Sequence, residues 1–159
     1  MQFPAMRRLC IATANAFLLV YATTSAPSFG CVKQCFDEIR EQRADFQEIP
    51  IVIAGNKLDL ASTHREVKIE DVSEWVFCEL PKLSAWIFTV EMSDFERIRL
   101  VILGGAGVGK SCIVKRFLFK TYSDKYRATV EDLYNREYDL GAVTLKASSS
   151  WSLFFLQIT

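Results

Sequence analysis

Two short runs in this chain hold residue types and spacings that could do chemistry. The first is GGAGVGKS, Gly104–Ser111, which fits the phosphate-cradling spacing G-x-x-x-x-G-K-[ST]. Its glycines let successive backbone N–H groups turn inward around phosphate oxygens, so Gly104, Gly105, Ala106, Gly107, Val108 and Gly109 are the candidate cradle. A helix opening at Lys110 would point its positive end at the same place, with Ser111 and Cys112 in its first turn. Lys110 would reach the β- and γ-phosphates, and Ser111 would hold Mg2+ through its hydroxyl. The second run is NKLD, Asn56–Asp59. The Asp59 carboxylate is an acceptor-only group, suited to the paired ring N–H and amino donors of guanine, a pair that adenine lacks. Asn56 can bond the imidazole edge of the base and tie its loop to the phosphate loop, and the stem of Lys57 can cover the purine face.

Fewer signals come from the remaining polar residues. Thr129 lies 18 residues beyond Ser111 in the run KYRATVED, where a hydroxyl could coordinate Mg2+ and sense the γ-phosphate. Tyr122 could pack against the base edge. Cys31 and Cys35 stand four apart on a helical pattern, but without a second close cysteine pair they read as packing residues rather than metal ligands. The single histidine, His64, sits in the polar stretch STHRE and reads as solvated.

Both runs need strands to deliver them. Ala16–Tyr21 and Ile49–Ala54 are continuous apolar runs of the kind found in buried parallel strands, and the second leads into NKLD. Arg97–Leu103 is a third such run and enters the glycine loop. Helices are expected between them. One spans Pro4–Ala14, with Arg7 and Arg8 outward. One starts at Thr24–Pro27 and carries Phe29, Val32, Phe36 and Ile39 inward before ending in REQRAD. Another spans Val67–Leu80, and a fourth spans Lys110–Lys120 with Ile113, Val114, Phe117 and Leu118 inward. Thr121–Glu131 reads as a polar loop, Leu133–Leu140 and Ala142–Lys146 as strands, and Ser148–Trp151 as a break before the closing SLFFLQIT. Alternating buried strands and amphipathic helices imply an α/β sheet covered on both faces.

The bulk composition is that of one globular domain: 159 residues, half of them hydrophobic, with 19 basic and 19 acidic side chains. That balance creates no global field for nucleic acid, so an anionic ligand must be held locally. Five cysteines without regular spacing fit reduced thiols and a cytoplasmic setting. No apolar run reaches the length of a membrane span. Residues 1–26 resemble a secretory signal in outline, with early arginines, an apolar stretch and small residues near Ala26, although Asn15 interrupts the stretch.

Taken together, GGAGVGKSCIVKRF, YRATVED, FPAMRRLCIATANAFLLVY and IVIAGNKLDL with HREV resemble Ras-family small GTPases, in particular the Ras-like branch containing Dexras and Rhes. The resemblance implies a P-loop, Ras-like G domain with a mostly parallel sheet flanked by helices, binding GTP/GDP and Mg2+. It places Ser111 and Thr129 on the metal. It assigns the segment around Thr129, Glu131 and Asp132 to switch I, which would contact effector and regulator proteins.

The order of the segments departs from the family. A family member would run from Met92 to Lys146, through a D-x-x-G motif, then from Phe3 to Leu80. Here the base-reading half, residues 1–80, precedes a linker at 81–96 and the P-loop half at 97–146, with 147–159 left as an unassigned tail. The chain contains no D-x-x-G, and the position of the family's water-orienting glutamine would fall just before Met1, so slow or absent hydrolysis is expected, and with it a circularly permuted, incomplete domain. Ala106 replaces a family glycine beside the γ-phosphate, Ser84–Trp86 only weakly echoes the family's second base loop, and no C-terminal lipidation cysteine is present. Two origins fit this order: a circular permutation or a disturbed coding order. The clean breaks beside lost motifs favour the second. The alternative in function is a GTPase-like interaction fragment that binds partners but no nucleotide.

Overall fold

The apolar runs do form strands, and they pair into the sheet that carries both motifs. The computed structural model describes residues 4–80, 98–122, 131–135, 145–150 and 153–158. Helix α1 (Pro4–Thr13) leads into β1 (Ala16–Ala22), followed by α2 (Ala26–Gln42) and β2 (Ile51–Asn56). A 3-10 turn at Leu58–Leu60 and the short α3 (Ala61–His64) lead to α4 (Ile69–Glu79). Then come β3 (Ile98–Leu103), α5 (Lys110–Phe119), β4 (Glu131–Asn135), β5 (Leu145–Ser150) and β6 (Leu153–Ile158).

The described strands lie in the order β2-β1-β3-β6-β5-β4. β1 pairs parallel with β2, Phe17 opposite Ile51 and Ala22 opposite Asn56, and parallel with β3, Ala16 opposite Leu100 and Leu19 opposite Leu103. Parallel neighbours need a crossover, and α2 supplies it between β1 and β2. All three strands therefore end at one rim, where β3 releases the glycine loop and β2 releases Asn56. The parallel character expected from the sequence holds across these strands. Beyond β3 the ladder turns antiparallel: Ile98 faces Ile158, Leu145 faces Ile158 and Glu131 faces Ser150.

That antiparallel half corrects the reading of the last residues. Within the unassigned tail at 147–159, Leu153–Ile158 lies directly beside β3, and the serine run belongs to β5. Ser148–Ser150 looks like a break by propensity, but pairing with an apolar neighbour of strand length overrides so weak a preference. Glu131, expected in a loop, opens β4; of the strand expected at Ala142–Lys146, Leu145 and Lys146 belong to β5, and 142–144 lie outside the described residues. The linker at 81–96, with Ser84–Trp86, and the threonine Thr129 lie outside the described residues.

Side-chain alternation along β1 feeds two cores. Phe17, Leu19 and Tyr21 join residues of α1, α2 and α4, among them Ile11, Val32, Phe36, Ile39 and Val72. Val20 and Ala22 join Ile102, Val108 and Val114 in a smaller core under α5. In the larger core Trp75 stands edge-on to Phe29 at 5.6 Å and to Phe36 at 5.4 Å, which docks α4 on α2. Since β1 lies between β2 and β3, the apolar stretch that suggested a secretory signal is a central strand.

Two helix faces differ from expectation. Arg7 points inward, its Nε donating to Glu38 Oε2 at 2.6 Å and its Nη2 to Cys35 Sγ at 3.2 Å. Its spacing explains this, because Arg7 shares a face with the buried Cys10, Ile11 and Ala14, whereas Leu9 faces away and is 60% exposed. On α5, Phe117 is 54% exposed, whereas Ile113, Val114 and Phe119 are the residues of this helix that meet the small core. Leu118 gives no side-chain placement among the described residues.

Candidate functional site

The rim of the parallel strands is built from the glycine loop outward. Gly104 leaves β3 with φ 152°, and a Cβ there would run into the carbonyl oxygen of Val20 on the adjacent strand. Gly107 and Gly109 take φ 71° and 96°, values that side chains disfavour. Gly109 caps α5, and a Cβ on it would meet Asn56 Nδ2. Val108 is buried and anchors the loop in the smaller core, while Ala106 and Gly107 are exposed at its tip. Behind the loop, Gly105 faces α2, where a Cβ on it would make ordinary contact with Cys31 Sγ at 3.6 Å.

Lys110 opens α5 and is 7% exposed. Its ammonium donates to Gly104 O at 2.9 Å and to Gly105 O at 2.7 Å, the carbonyls of its own loop. Burial is the chief influence on its pKa, which falls to about 8; the thiols of Cys35 and Cys31 oppose the fall and the Arg7 guanidinium adds to it. Among the described residues this buried cation has carbonyl partners and no acid beside it, an arrangement that a phosphate would complete as an ion pair. Ser111 and Cys112 follow in the first turn, both half-buried.

The base loop meets this cradle through one residue. Asn56, last in β2, donates from Nδ2 to Val108 O at 2.8 Å, the tie that the sequence suggested. The chain then turns through Lys57, which has the left-handed φ of 63°, into the 3-10 turn that carries the exposed Asp59. The structure thus brings together Gly104, Gly105, Gly107, Val108, Gly109, Lys110 and Asn56, with Lys57 and Asp59 following directly. Tyr122 is 68% exposed.

Thr23 was not singled out from the sequence, yet it joins three segments. Its N–H donates to Asn56 O at 3.0 Å, and its carbonyl accepts from Glu66 N at 2.9 Å and Val67 N at 3.0 Å. Its hydroxyl donates to Lys57 O at 3.1 Å. Beside it, Ser28 Oγ accepts from Ala22 N at 3.0 Å and donates to Ser25 O at 2.6 Å, locking the start of α2 to the end of β1. Nothing local in ATTSAPS announces the bonds of Thr23, because their partners are more than 30 residues away.

These residues fit a nucleotide phosphate group on structural grounds: Gly104 and Gly109, whose Cβ positions are occupied, a helix N-terminus, and a buried ammonium facing carbonyls. Of the expected Mg2+ ligands, Ser111 stands at the loop's end, and Thr129 is outside the described residues.

Comparison with known proteins agrees with this geometry. A model of the Ras family matches residues 1–81 and 99–148. Circularly permutated Ras protein 1 of Dictyostelium discoideum is 30% identical over 154 residues, an alignment covering 89% of this chain and 18% of that protein. GTP-binding protein Di-Ras2 of Mus musculus is 46% identical over 67 residues, 42% of this chain and 33% of that protein. Ras-like protein 1 of Saccharomyces cerevisiae is 40% identical over 70 residues, 44% of this chain and 22% of that protein. The chain therefore spans a third or less of each of these relatives. A single alignment running through nearly the whole chain favours permutation over a disturbed coding order, against the preference drawn from the sequence. The chain belongs to the Ras family of small GTPases, with its segments in permuted order.

Proposed function

We propose that this chain is the nucleotide-binding domain of a signalling switch that holds GTP or GDP with Mg2+ and hydrolyses GTP slowly or not at all. The observation that carries this reading is the Asn56–Val108 bond at 2.8 Å, which joins the base loop to the phosphate loop across 52 residues of permuted chain. Lys110 would neutralise the β- and γ-phosphates, and Ser111 would hold Mg2+, which supplies charge neutralisation between those phosphates. Asp59 would select guanine, with Lys57 over the base face and Asn56 on its imidazole edge. Ala106, exposed at the loop tip, narrows the space for a γ-phosphate. The slow-hydrolysis part of this reading is supported by these 159 residues holding no D-x-x-G run. Effector and regulator proteins would meet the segment from Thr129 through Glu131 and Asp132, where β4 forms one edge of the described sheet.

The test is a titration of the purified chain with fluorescent GDP, with and without Mg2+. Sub-micromolar, Mg2+-dependent binding that Lys110→Ala abolishes supports the switch reading. Failure to bind at tens of micromolar overturns it in favour of an interaction fragment.

A further inference from the structure

We infer that Thr23 is a positioning residue for guanine selection, acting through Lys57 on the path of the chain into Asp59. The inference rests on the guanine-binding reading above. It starts from a conformational conflict. Lys57 adopts φ 63°, ψ 39°, a left-handed state that is unfavourable for a residue with a side chain. Among the described residues outside glycine, it shares this state only with Lys120, which closes α5. No side-chain cap supports the turn that begins at Lys57. Some other contact must hold the peptide, and the hydroxyl of Thr23 does so by donating to Lys57 O at 3.1 Å.

Thr23 is well placed to act as that anchor. It is 3% exposed, and its backbone is fixed on both sides by the bonds to Asn56, Glu66 and Val67. A Cβ on Gly55 would meet the Tyr21 ring first and the Thr23 methyl at 3.3 Å, so the two side chains together occupy the space that glycine leaves. The same Lys57 carbonyl accepts from Leu60 N at 3.2 Å, which closes the turn around Asp59. One carbonyl is thus gripped from the buried side by Thr23 and from the turn by Leu60. Loss of the hydroxyl frees the first grip and lets Asp59 wander, while the phosphate loop, reached through Asn56, keeps its own bonds.

The experiment compares wild type, Thr23→Val and Thr23→Ser, using GDP and inosine diphosphate, which lacks the amino group that Asp59 would read. Thr23→Val is expected to weaken GDP about threefold to tenfold, the effect of one neutral hydrogen bond, and to change inosine diphosphate much less. Thr23→Ser restores the GDP preference. In nucleotide-free protein, hydrogen exchange at Leu58–Leu60 should speed up several-fold in Thr23→Val and return to the wild-type rate in Thr23→Ser. Wild-type protein that binds neither nucleotide overturns the guanine reading, and this role with it. Wild-type binding with an unchanged GDP preference in Thr23→Val overturns the role of Thr23 alone. So does equal weakening of both nucleotides, which is the mark of general destabilisation.

Discussion

The phosphate loop and the base loop leave the two strands that flank β1, at one rim of the sheet, yet their backbones are held by different means. The phosphate loop bends at Gly104, Gly107 and Gly109, where the absence of a Cβ makes the unusual dihedrals inexpensive. The base loop bends at Lys57, where the dihedral is unfavourable and the bond from Thr23 compensates. One loop has its shape written into its own residues. The other borrows its shape from Thr23, in the turn just after β1 and more than 30 residues earlier. Substitutions in the first should therefore act through sterics and be severe, and substitutions in the second should act through hydrogen bonds and be graded.

Gly104→Ala is the strongest way to break that contrast. A methyl group there collides with the Val20 carbonyl, which belongs to the central strand and cannot yield without disturbing the β1–β3 ladder. A loss of about 4 kcal/mol is expected, at the upper end for single substitutions. Urea unfolding of the variant measures it, and a loss under about 1 kcal/mol would show that the loop is more compliant than the geometry indicates.

Gly109→Ala comes next and probes the seam between the loops. Its Cβ meets Asn56 Nδ2, a side-chain end that can swing aside only by giving up its bond to Val108 O. About 2 kcal/mol of destabilisation is expected from the strained φ and the lost bond together. In an Asn56→Ala background the collision is gone, so Gly109→Ala should cost only about half as much. Equal costs in both backgrounds would mean that the two loops are not coupled through Asn56.

Lys110 gives a pH test of the phosphate side. Burial lowers its pKa to about 8 in the nucleotide-free protein, while bound phosphates would keep it charged. Below pH 8 the ammonium is already present and binding takes up no proton. Above pH 8 binding must first protonate the amine, so affinity falls as pH rises. GDP should bind about tenfold more weakly at pH 9 than at pH 7, from proton linkage at one group. Titrations across that range check the slope, and a flat profile would place the Lys110 amine outside the phosphate contacts.

How far the site could be read in advance follows the same division. The glycines, Lys110 and Ser111 form a local pattern with a direct chemical meaning, and the Asn56 tie followed from pairing that pattern with NKLD. The faces of α2 were legible because Phe29, Val32, Phe36 and Ile39 repeat at helical spacing, and all are buried. Arg7 was misread because its charge outweighed its position, although its spacing from Cys10, Ile11 and Ala14 already placed it on the inner face. The place of Leu153–Ile158 beside β3 could not be read either, since strand pairing between distant segments leaves no local trace. Thr23 belongs with these, because a threonine at a strand end carries no mark of the carbonyl it will find.

The smallest effect sharpens the comparison most. Lys57→Gly removes the left-handed penalty and gives the base loop the kind of backbone freedom that the phosphate loop has. The gain in the folded state, about 1 kcal/mol, is partly cancelled by the greater entropy that glycine brings to the unfolded chain. A net change of about 0.5 kcal/mol in favour of the fold is expected. The informative quantity is its coupling with Thr23→Val. If the hydroxyl mainly holds Lys57 against its own preference, then Thr23→Val should cost about half as much once residue 57 is glycine. Urea unfolding of the wild type, the two single variants and the double variant yields that coupling directly. Simple additivity would mean that the bond at 3.1 Å adds stability without holding the turn, and that Asp59 owes its position to the 3-10 turn alone.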